Sequence, residues 1–351
     1  MAKRRKRRLK KLPIFILLVL IIGGGYLVYT NFSPKEKDAP SKLDNAPKKV
    51  VQKEKVDIVE VNKTKRDIAV MINNHPKARP YHSGLDESYL VYEILVEGGY
   101  TRYMALFNDK NTERIGSVRS SRHYFLDYAM ENDAIYVHWG WSPKAKSDIS
   151  SLGINNINGL SYENYYFYRD RSLNVPYEHT GFTDMEKINK GISALGYSTK
   201  TDKEVLLNYS VKDVDLTKKE NAIMANNVSI PYSGITTTSY VYDPNTKMYN
   251  RFVNDQAHVD YVTKKQYAFK NIITYKLKSI VLDGAGRIDL YNIGSGEGYY
   301  ITNGYAVPIT WVKDSRKEQT KYYFEDGTEL EVSDGNTFIQ IQPSSKTLSI
   351  S

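Results

Sequence analysis

The chain has 351 residues, of which 41% are hydrophobic, so it can bury sizeable cores and is not a disordered protein. Its formal charge is +9, but eight of the basic residues stand within the first eleven positions. The remaining residues carry 41 basic and 40 acidic side chains, so the charge of this part of the chain does not indicate nucleic-acid binding. The absence of cysteine excludes disulfides, thiolate zinc sites, thiol catalysis and a lipid attached through cysteine.

The first 32 residues predict a membrane anchor. Residues 12–32, LPIFILLVLIIGGGYLVYTNF, carry no charge, and as a helix they span ~31 Å, about one bilayer core. The basic tail at residues 1–11 then lies in the cytoplasm and the rest of the chain outside the cell. A cleaved signal peptide is the alternative, but no small-x-small cleavage pattern follows the apolar run. The prediction is an uncleaved signal anchor in a single-pass protein of the cell membrane.

Residues 33–66 predict a flexible stalk, because Lys, Glu, Asp and Pro dominate them and large apolar residues are few. After the stalk, strands alternate with helices, which predicts an α/β domain over residues 67–221, with residues 201–221 as a bridge to the next domain. The predicted strands are 67–74, 89–99, 101–107 and 134–140, and the predicted helices begin at the N-cap residues Ser117 and Ser142.

Residues 222–351 predict a β-rich second domain. Short runs rich in β-branched and aromatic residues alternate there with Gly, Asp-Gly and Asp-Pro-Asn turns. A sandwich or a partly open barrel is the expected form. The fold class is therefore α+β or α/β: one transmembrane helix, then an N-terminal α/β domain, then a β-rich C-terminal domain.

Three stretches of the predicted soluble part resemble one known family, the YerB-like proteins, which are extracytoplasmic and often lipid-anchored proteins of Gram-positive bacteria. The resemblance covers residues 67–343 and implies an N-terminal α/β region and a C-terminal β-rich region in an envelope protein whose domain has no assigned function. Two departures stand out: a membrane helix replaces a lipobox cysteine, and VPYEHTGFT at 175–183 replaces a Pro-His-Asn stretch, with His179 at the histidine position. The stretches are AVMINNHPKARPYHSGLDESYLVYEILVEGGYTRYMALF, IGSVRSSRHYFLDYAMENDAIYVHWGWSP and GYAVPITWVKDSRKEQTKYYFEDGTELEVSDGNTFIQIQP.

The stretch GSVRSSRHYF at residues 116–125 contains the first candidate site. With Ser117 as the N-cap, Arg119 and Arg122 would lie one turn apart at the start of a helix, where the backbone is already positive. A bound anion, held also by Ser120 and by free N–H groups, would explain two cations at this end. The alternative is that both arginines are solvated surface charges or salt-bridge partners of glutamate.

Glu93 and Glu97 are four residues apart in an apolar segment and need partners if they are buried. Ion pairing with arginine is one interpretation, and acid–base catalysis on a glycosidic bond is the other. His138, at the end of a predicted buried strand, is expected to contact a ligand or to assist that reaction, and the alternative is a hydrogen-bonded histidine of the core. The candidate arginine partners are Arg102, Arg119 and Arg122.

The histidines form no metal-ligand pattern, since neither HxH nor HxxxH occurs, and neither a metal nor another cofactor is predicted. His75 and His82 lie in the loop that follows the first predicted strand.

These observations predict a membrane-anchored cell-envelope protein that binds an anionic polymer or a glycan of the cell wall and no nucleic acid. A wall-acting hydrolase or transferase, with Glu93 or Glu97 as acid or base, is the second interpretation. A structural protein that docks another envelope protein through an apolar patch of the β-rich domain is the third. The predicted ligand-binding residues are Glu97, Arg102, Arg119, Ser120, Arg122, His138 and His179.

Overall fold

The structure is a computed structural model that describes residues 64–108 and 110–351. The described residues belong to one compact unit. Among them, no helix has the length and apolar character that crossing a lipid bilayer requires. The predicted tail at 1–11, the predicted anchor at 12–32 and most of the predicted stalk lie outside the described residues.

The last residues of the predicted stalk belong to the folded unit. The backbone N–H of Arg66 donates to the Thr199 carbonyl at 2.8 Å, and the Arg66 guanidinium donates to the Asp133 carbonyl at 2.7 Å. The prediction that the stalk continues to residue 66 is therefore wrong at its end. The reason is that these contacts join Arg66 to residues more than sixty positions away, which local composition does not reveal.

The described part of the chain forms twenty-four strands and four α-helices. The strands of the first two hundred or so residues are β1 (Ile68–Asn73), β2 (Leu90–Leu95), β3 (Thr101–Phe107), β4 (Ile115–Gly116), β5 (Ile135–His138), β6 (Asn156–Asn158), β7 (Tyr168–Arg169), β8 (Gly181–Thr183) and β9 (Asn208–Ser210). The helices are α1 (His123–Glu131), α2 (Pro143–Ser151), α3 (Gly159–Tyr162) and α4 (Met185–Ala194). The later strands are β10 (Ile223–Met224), β11 (Asn227–Pro231), β12 (Thr237–Asp243), β13 (Met248–Val253), β14 (Gln256–Ala257), β15 (Ala268–Phe269), β16 (Asn271–Leu277), β17 (Ser279–Val281), β18 (Ile288–Leu290), β19 (Gly294–Thr302), β20 (Tyr305–Lys313), β21 (Lys321–Phe324), β22 (Glu331–Ser333), β23 (Thr337–Pro343) and β24 (Ser349–Ile350).

The largest sheet has eleven strands and takes them from both ends of the chain. Its order is β10-β20-β19-β16-β23-β2-β3-β1-β5-β6, with β21 paired to β20. β23 lies between β2 and β16 and runs parallel to both. The β-rich character predicted for residues 222–351 is confirmed, although only part of these strands forms a separate six-stranded sheet, from β11 to β15 with β24. The proposed domain boundary at residue 222 stays a prediction.

The two faces of the large sheet pack into two cores. Side chains alternate along a strand, so Tyr92 of β2 faces one core and Val91 faces the other. The first core also contains Phe125 from α1. The second contains Tyr240 from the six-stranded sheet and Ile188 from α4. The six-stranded sheet therefore covers one face of the large sheet, and this arrangement brings polar side chains from distant parts of the chain together.

The helix predicted to start at Ser117 starts later, because its first residues are held in an extended segment. The N-cap position of α1 is Arg122, and no side chain caps the helix there. The Ser117 carbonyl accepts from the Asn73 N–H at 2.9 Å, and the Arg119 N–H donates to the Met71 carbonyl at 2.9 Å. The prediction for α2 is confirmed, since the Ser142 hydroxyl caps it.

Candidate functional site

The candidate site lies where parallel strands end. β1, β5 and β6 run parallel, so their carboxyl ends meet at the same edge of the large sheet, the position at which α/β proteins bind ligands. The extended segment 117–121 crosses this edge and hydrogen-bonds to the ends of β1 and the residues after β5. We call Arg102, Arg119, Arg122, His75 and His179 the arginine edge.

Two buried arginines share one carboxylate at this edge. The Nε atom of Arg122 donates to Glu97 Oε2 at 2.8 Å, its Nη2 atom also bonds Glu97, and Arg102 Nη2 lies 3.2 Å from Glu97 Oε1. Each guanidinium also donates to a backbone carbonyl: Arg102 to that of Ser120 at 2.6 Å, and Arg122 to that of Ser121 at 2.7 Å. Two positive charges therefore face one negative charge, and one positive charge is left without a counter-charge within the trio.

The titration of these groups follows their surroundings. Burial opposes ionisation of Glu97, but the hydrogen bond from Arg122 and the charge of Arg102 outweigh it and lower the pKa of Glu97 to about 2. Burial, and then the charge of Arg122, lower the pKa of Arg102 to about 10. At neutral pH Glu97 and Arg102 are therefore both charged. The predicted ion pairing of Glu97 with Arg102 and Arg122 is thus confirmed.

Arg119 differs from the other two arginines. It is half-buried, and its Nη1 atom donates to the Glu178 carbonyl at 3.2 Å. Within residues 64–108 and 110–351, no carboxylate lies within ion-pair distance of it. Burial, together with the charge of Arg122, lowers the pKa of Arg119. Arg119 therefore has guanidinium N–H groups free to bind an anion from outside.

Two histidines extend the edge. The rings of His75 and His179 are stacked with centroids 4.7 Å apart. The Asn73 amide nitrogen bonds His179 Nδ1 at 2.8 Å, and the Lys77 N–H donates to His75 Nδ1 at 3.2 Å. A neutral ring that accepts at Nδ1 carries its proton on Nε2. Both Nε2–H groups lack a hydrogen-bond acceptor among the described residues, the nearest carboxylate oxygen to His179 being that of Glu178 at 3.9 Å.

The histidines are neutral donors at pH 7. Burial, and then the charges of His75 and Arg119, lower the pKa of His179 to about 4. Burial and the charges of Lys77 and Arg119 lower the pKa of His75. Burial is the largest cause of both shifts, and the positive charges nearby add to it against the opposing charge of Glu178; an anion would neutralise these positive charges.

Glu93 is not part of the arginine edge. It is fully buried between the two sheets and pairs with Arg251, whose Nη2 atom lies 2.8 Å from Glu93 Oε2. The hydroxyls of Thr101 and Thr238 complete its shell at 2.6 Å and 3.0 Å. The prediction that Glu93 pairs with Arg102, Arg119 or Arg122 is wrong, because its side chain points to the opposite sheet.

The same buried network continues through two histidines. Arg251 Nη1 lies 2.6 Å from His258 Nδ1, and His258 Nε2 lies 2.7 Å from His82 Nδ1. The far nitrogen of His82 bonds the Asn73 carbonyl. A guanidinium donates and a carbonyl accepts, so both rings must carry their proton on Nε2 and both must be neutral. Burial lowers the pKa of His82 to about 3 and lowers that of His258 well below its usual value.

His138 lies in the core, whereas Ser120 lies beside the arginines. His138 is fully buried, its Nδ1 lies 2.8 Å from the Gly140 carbonyl and its Nε2 lies 3.1 Å from Asn156 Oδ1. Both ring nitrogens are used inside the protein, so neither is free for a ligand or for proton transfer. Ser120 is half-buried beside the arginines, and its hydroxyl donates to the Trp139 carbonyl at 3.0 Å.

The sequence reasoning left His75 and Asn73 out of the candidate ligand-binding set. Both stand in the run Asn-Asn-His-Pro at the carboxyl end of β1, of which Asn73 is the last residue. A polar run at the carboxyl end of a strand, next to another strand that ends in polar residues, is the signal that could have identified them.

The geometry defines a class: β-rich α+β proteins in which one mixed sheet takes strands from both ends of the chain and carries an arginine-rich edge. The chain belongs to the DUF3048 family. Residues 56–198 match the family model described as "Protein of unknown function (DUF3048) N-terminal domain", and residues 228–339 match the model of the C-terminal domain.

One relative is known from both sequence and structure. The chain is 33% identical over 291 residues to "Putative lipoprotein YerB" of Bacillus subtilis (strain 168), and the alignment covers 82% of this chain and 84% of the relative. The crystal structure of YerB from Bacillus subtilis superposes with a TM-score of 0.72 at 30% identity and covers 82% of this chain and 94% of that one. The resemblance to the YerB-like family is therefore confirmed.

Proposed function

We propose that this chain is an extracytoplasmic protein of the cell envelope that binds an anionic wall polymer, one bearing phosphate or carboxylate groups, at the arginine edge. The name of the Bacillus relative, a lipoprotein, supports a place at the outer side of the membrane. The uncharged run at residues 12–32 supports a membrane helix in place of the lipid.

The observation that carries the proposal is an excess of donors over acceptors. Glu97 serves two guanidiniums, Arg119 makes one hydrogen bond, and the Nε2–H groups of His75 and His179 have no acceptor within the described part of the chain. A guanidinium and two neutral N–H donors match the oxygens of a phosphate or carboxylate, and charge-assisted bonds of this kind are the stronger ones.

Acid–base catalysis by the two glutamates is less well supported. Glu93 is fully buried and bonded on both oxygens, so no substrate reaches it. Glu97 is held ionised by two arginines, with its pKa lowered to about 2, so it cannot donate a proton at neutral pH and is a weak base. The geometry favours binding over hydrolysis at this edge.

The test uses the full-length chain, titrated with inorganic phosphate and with a purified anionic wall polymer. We expect ligand at about 100 times its dissociation constant to raise the free energy of unfolding by ~2.7 kcal/mol. The gain should vanish in Arg119→Gln and persist in Arg287→Gln, which removes the same charge from the turn between β17 and β18. Undiminished binding by Arg119→Gln, or equal loss in both variants, would refute the proposal.

A second candidate function is the docking of another envelope protein on the hairpin of β17 and β18. The hairpin exposes large apolar side chains, with Val281 68% and Tyr291 54% exposed. β17 pairs with β18 alone among the described strands, so its outer edge is free to accept an extended strand of a partner. A photo-crosslinker at Val281 in intact cells should give one discrete adduct that a crosslinker at the exposed Glu186 does not give; no adduct at Val281 would count against docking.

A further inference from the structure

A cleft separate from the arginine edge opens between the two sheets. It has a volume of about 440 Å³ and shares no lining residue with the arginine edge. Strands β16, β19 and β23 of the large sheet form one wall, and the end of the chain at Leu348 and Ile350 forms the other. A volume of this size accommodates a small ligand.

Two polar atoms in the cleft wall lack partners. Thr274 and Gln342 are each 1% exposed, and neither Thr274 Oγ nor Gln342 Oε1 has a hydrogen-bond partner in the part of the chain that the structure describes. The orientation of the Gln342 amide is set by its own nitrogen, which donates to the Pro231 carbonyl at 2.9 Å. Oε1 is therefore a fixed acceptor, and Thr274 adds a hydroxyl that can donate or accept.

Strand register places an aromatic ring beside these atoms. Tyr299 is the partner of Thr274 across β19 and β16, so its half-buried ring lies on the same face of the sheet. Gln342 is the partner of Lys276, two residues along β16 from Thr274, and so lies on that face as well. The cleft thus combines an aromatic wall, two directed polar atoms and, on the opposite side, two aliphatic side chains.

The charges at the cleft cancel. Lys276 and Glu297 are both exposed and line it, and neither has an ion-pair partner within residues 64–108 and 110–351. One cation and one anion give no preference for a charged ligand. The cleft instead suits a neutral molecule with hydroxyl groups on its edge and an apolar face.

We propose that this cleft binds a neutral saccharide ring. An equatorial hydroxyl donates to Gln342 Oε1, a second exchanges a hydrogen bond with Thr274, and the apolar face of the ring packs on Tyr299. This site does not depend on the anion site, since the two share no residue and recognise different chemistry.

The test is a titration of the full-length chain with N-acetylglucosamine and with glucose, followed by protein NMR. Chemical shifts of Thr274, Tyr299 and Gln342 should move with either sugar. Thr274→Val keeps the shape of the side chain but removes the hydroxyl, and we expect about tenfold weaker binding. Thr274→Ser should bind like the native chain, and Thr310→Val, the same change at an exposed position of β20, should leave binding unaffected.

Two results would overturn the proposal. One is the absence of any shift in the cleft at tens of millimolar of both sugars. The other is equal affinity of Thr274→Val and the native chain. A thermal melt of each variant shows that it is folded, so a loss of binding by an unfolded protein is not mistaken for support.

Discussion

The buried histidines His82 and His258 predict a loss of stability in mild acid. Both rings are neutral in the native protein, because Arg251 donates at one end of the chain of hydrogen bonds and a carbonyl accepts at the other. Burial lowers the pKa of His82 to about 3 and lowers that of His258 well below its usual range. In the unfolded chain both rings titrate near their ordinary pKa of about 6.5.

The magnitude follows from this difference. Between about pH 6.5 and pH 3 the unfolded state binds more protons than the native state, so stability falls as the pH falls. Each ring lowers the free energy of unfolding by ~1.4 kcal/mol for each pH unit below about 6.5. At about pH 5 the loss is ~2 kcal/mol for one ring and ~4 kcal/mol for the two rings together. Above about pH 7 both states are neutral at these rings and the contribution is constant.

Urea unfolding at about pH 8 and pH 5 measures the loss. His258→Gln is the matched variant, because an amide can donate to His82 and accept from Arg251 as the neutral ring does but binds no proton. We expect this variant to fold at the higher pH and to recover ~2 kcal/mol of the loss at the lower pH. The reasoning is refuted if the variant and the native chain lose equal stability, or if NMR of the labelled rings shows either histidine titrating near 6.5 in the folded protein.

The remaining predictions concern charges and a helix cap. Glu93→Gln leaves Arg251 buried without its carboxylate, and we expect urea unfolding to show a loss of ~3–5 kcal/mol; a change within experimental error would contradict the pairing. Arg122→Gln should lower the free energy of unfolding by ~1–3 kcal/mol in the absence of ligand, whereas Arg119→Gln should leave it unchanged. Equal losses in a parallel urea denaturation of the two variants would show that the two arginines do not differ in role. Ser142→Ala removes the cap of α2 and should cost ~1 kcal/mol by thermal unfolding, a cost that an unaltered melting temperature would disprove.

Local sequence predicted the strands well. The run TRYMALF forms β3 at Thr101–Phe107, and the turn DPNTK joins β12 to β13, as predicted. These elements combine β-branched and aromatic residues with strong turn residues, and such signals act over a few positions. The cap at Ser142 was predictable for the same reason.

Features that depend on contacts between distant residues were not predicted from the sequence. The sequence predicts residues 117–121 as the start of a helix with Ser117 as the N-cap, but hydrogen bonds to the ends of two strands hold them extended. Glu93 pairs with Arg251, which is 158 positions away, and nothing near either residue marks the partner. The sequence did predict an arginine partner for Glu97, because a carboxylate in an apolar segment needs a counter-charge if it is buried, but it left Arg102, Arg119 and Arg122 open as candidates.

The position of β23 has a consequence for how the protein is made. This strand joins β16 to β2, so it connects two groups of strands that would otherwise be separate sheets. Residues 337–343 follow both β2 and β16 in the chain, so they leave the ribosome after both strands. Until they emerge, β2 and β16 each expose an unpaired edge, which invites association with other chains. A chain truncated before residue 337 would thus lose the strand that joins the two halves of its main sheet, and we expect proteolysis to remove such products rather than to leave a functional N-terminal half.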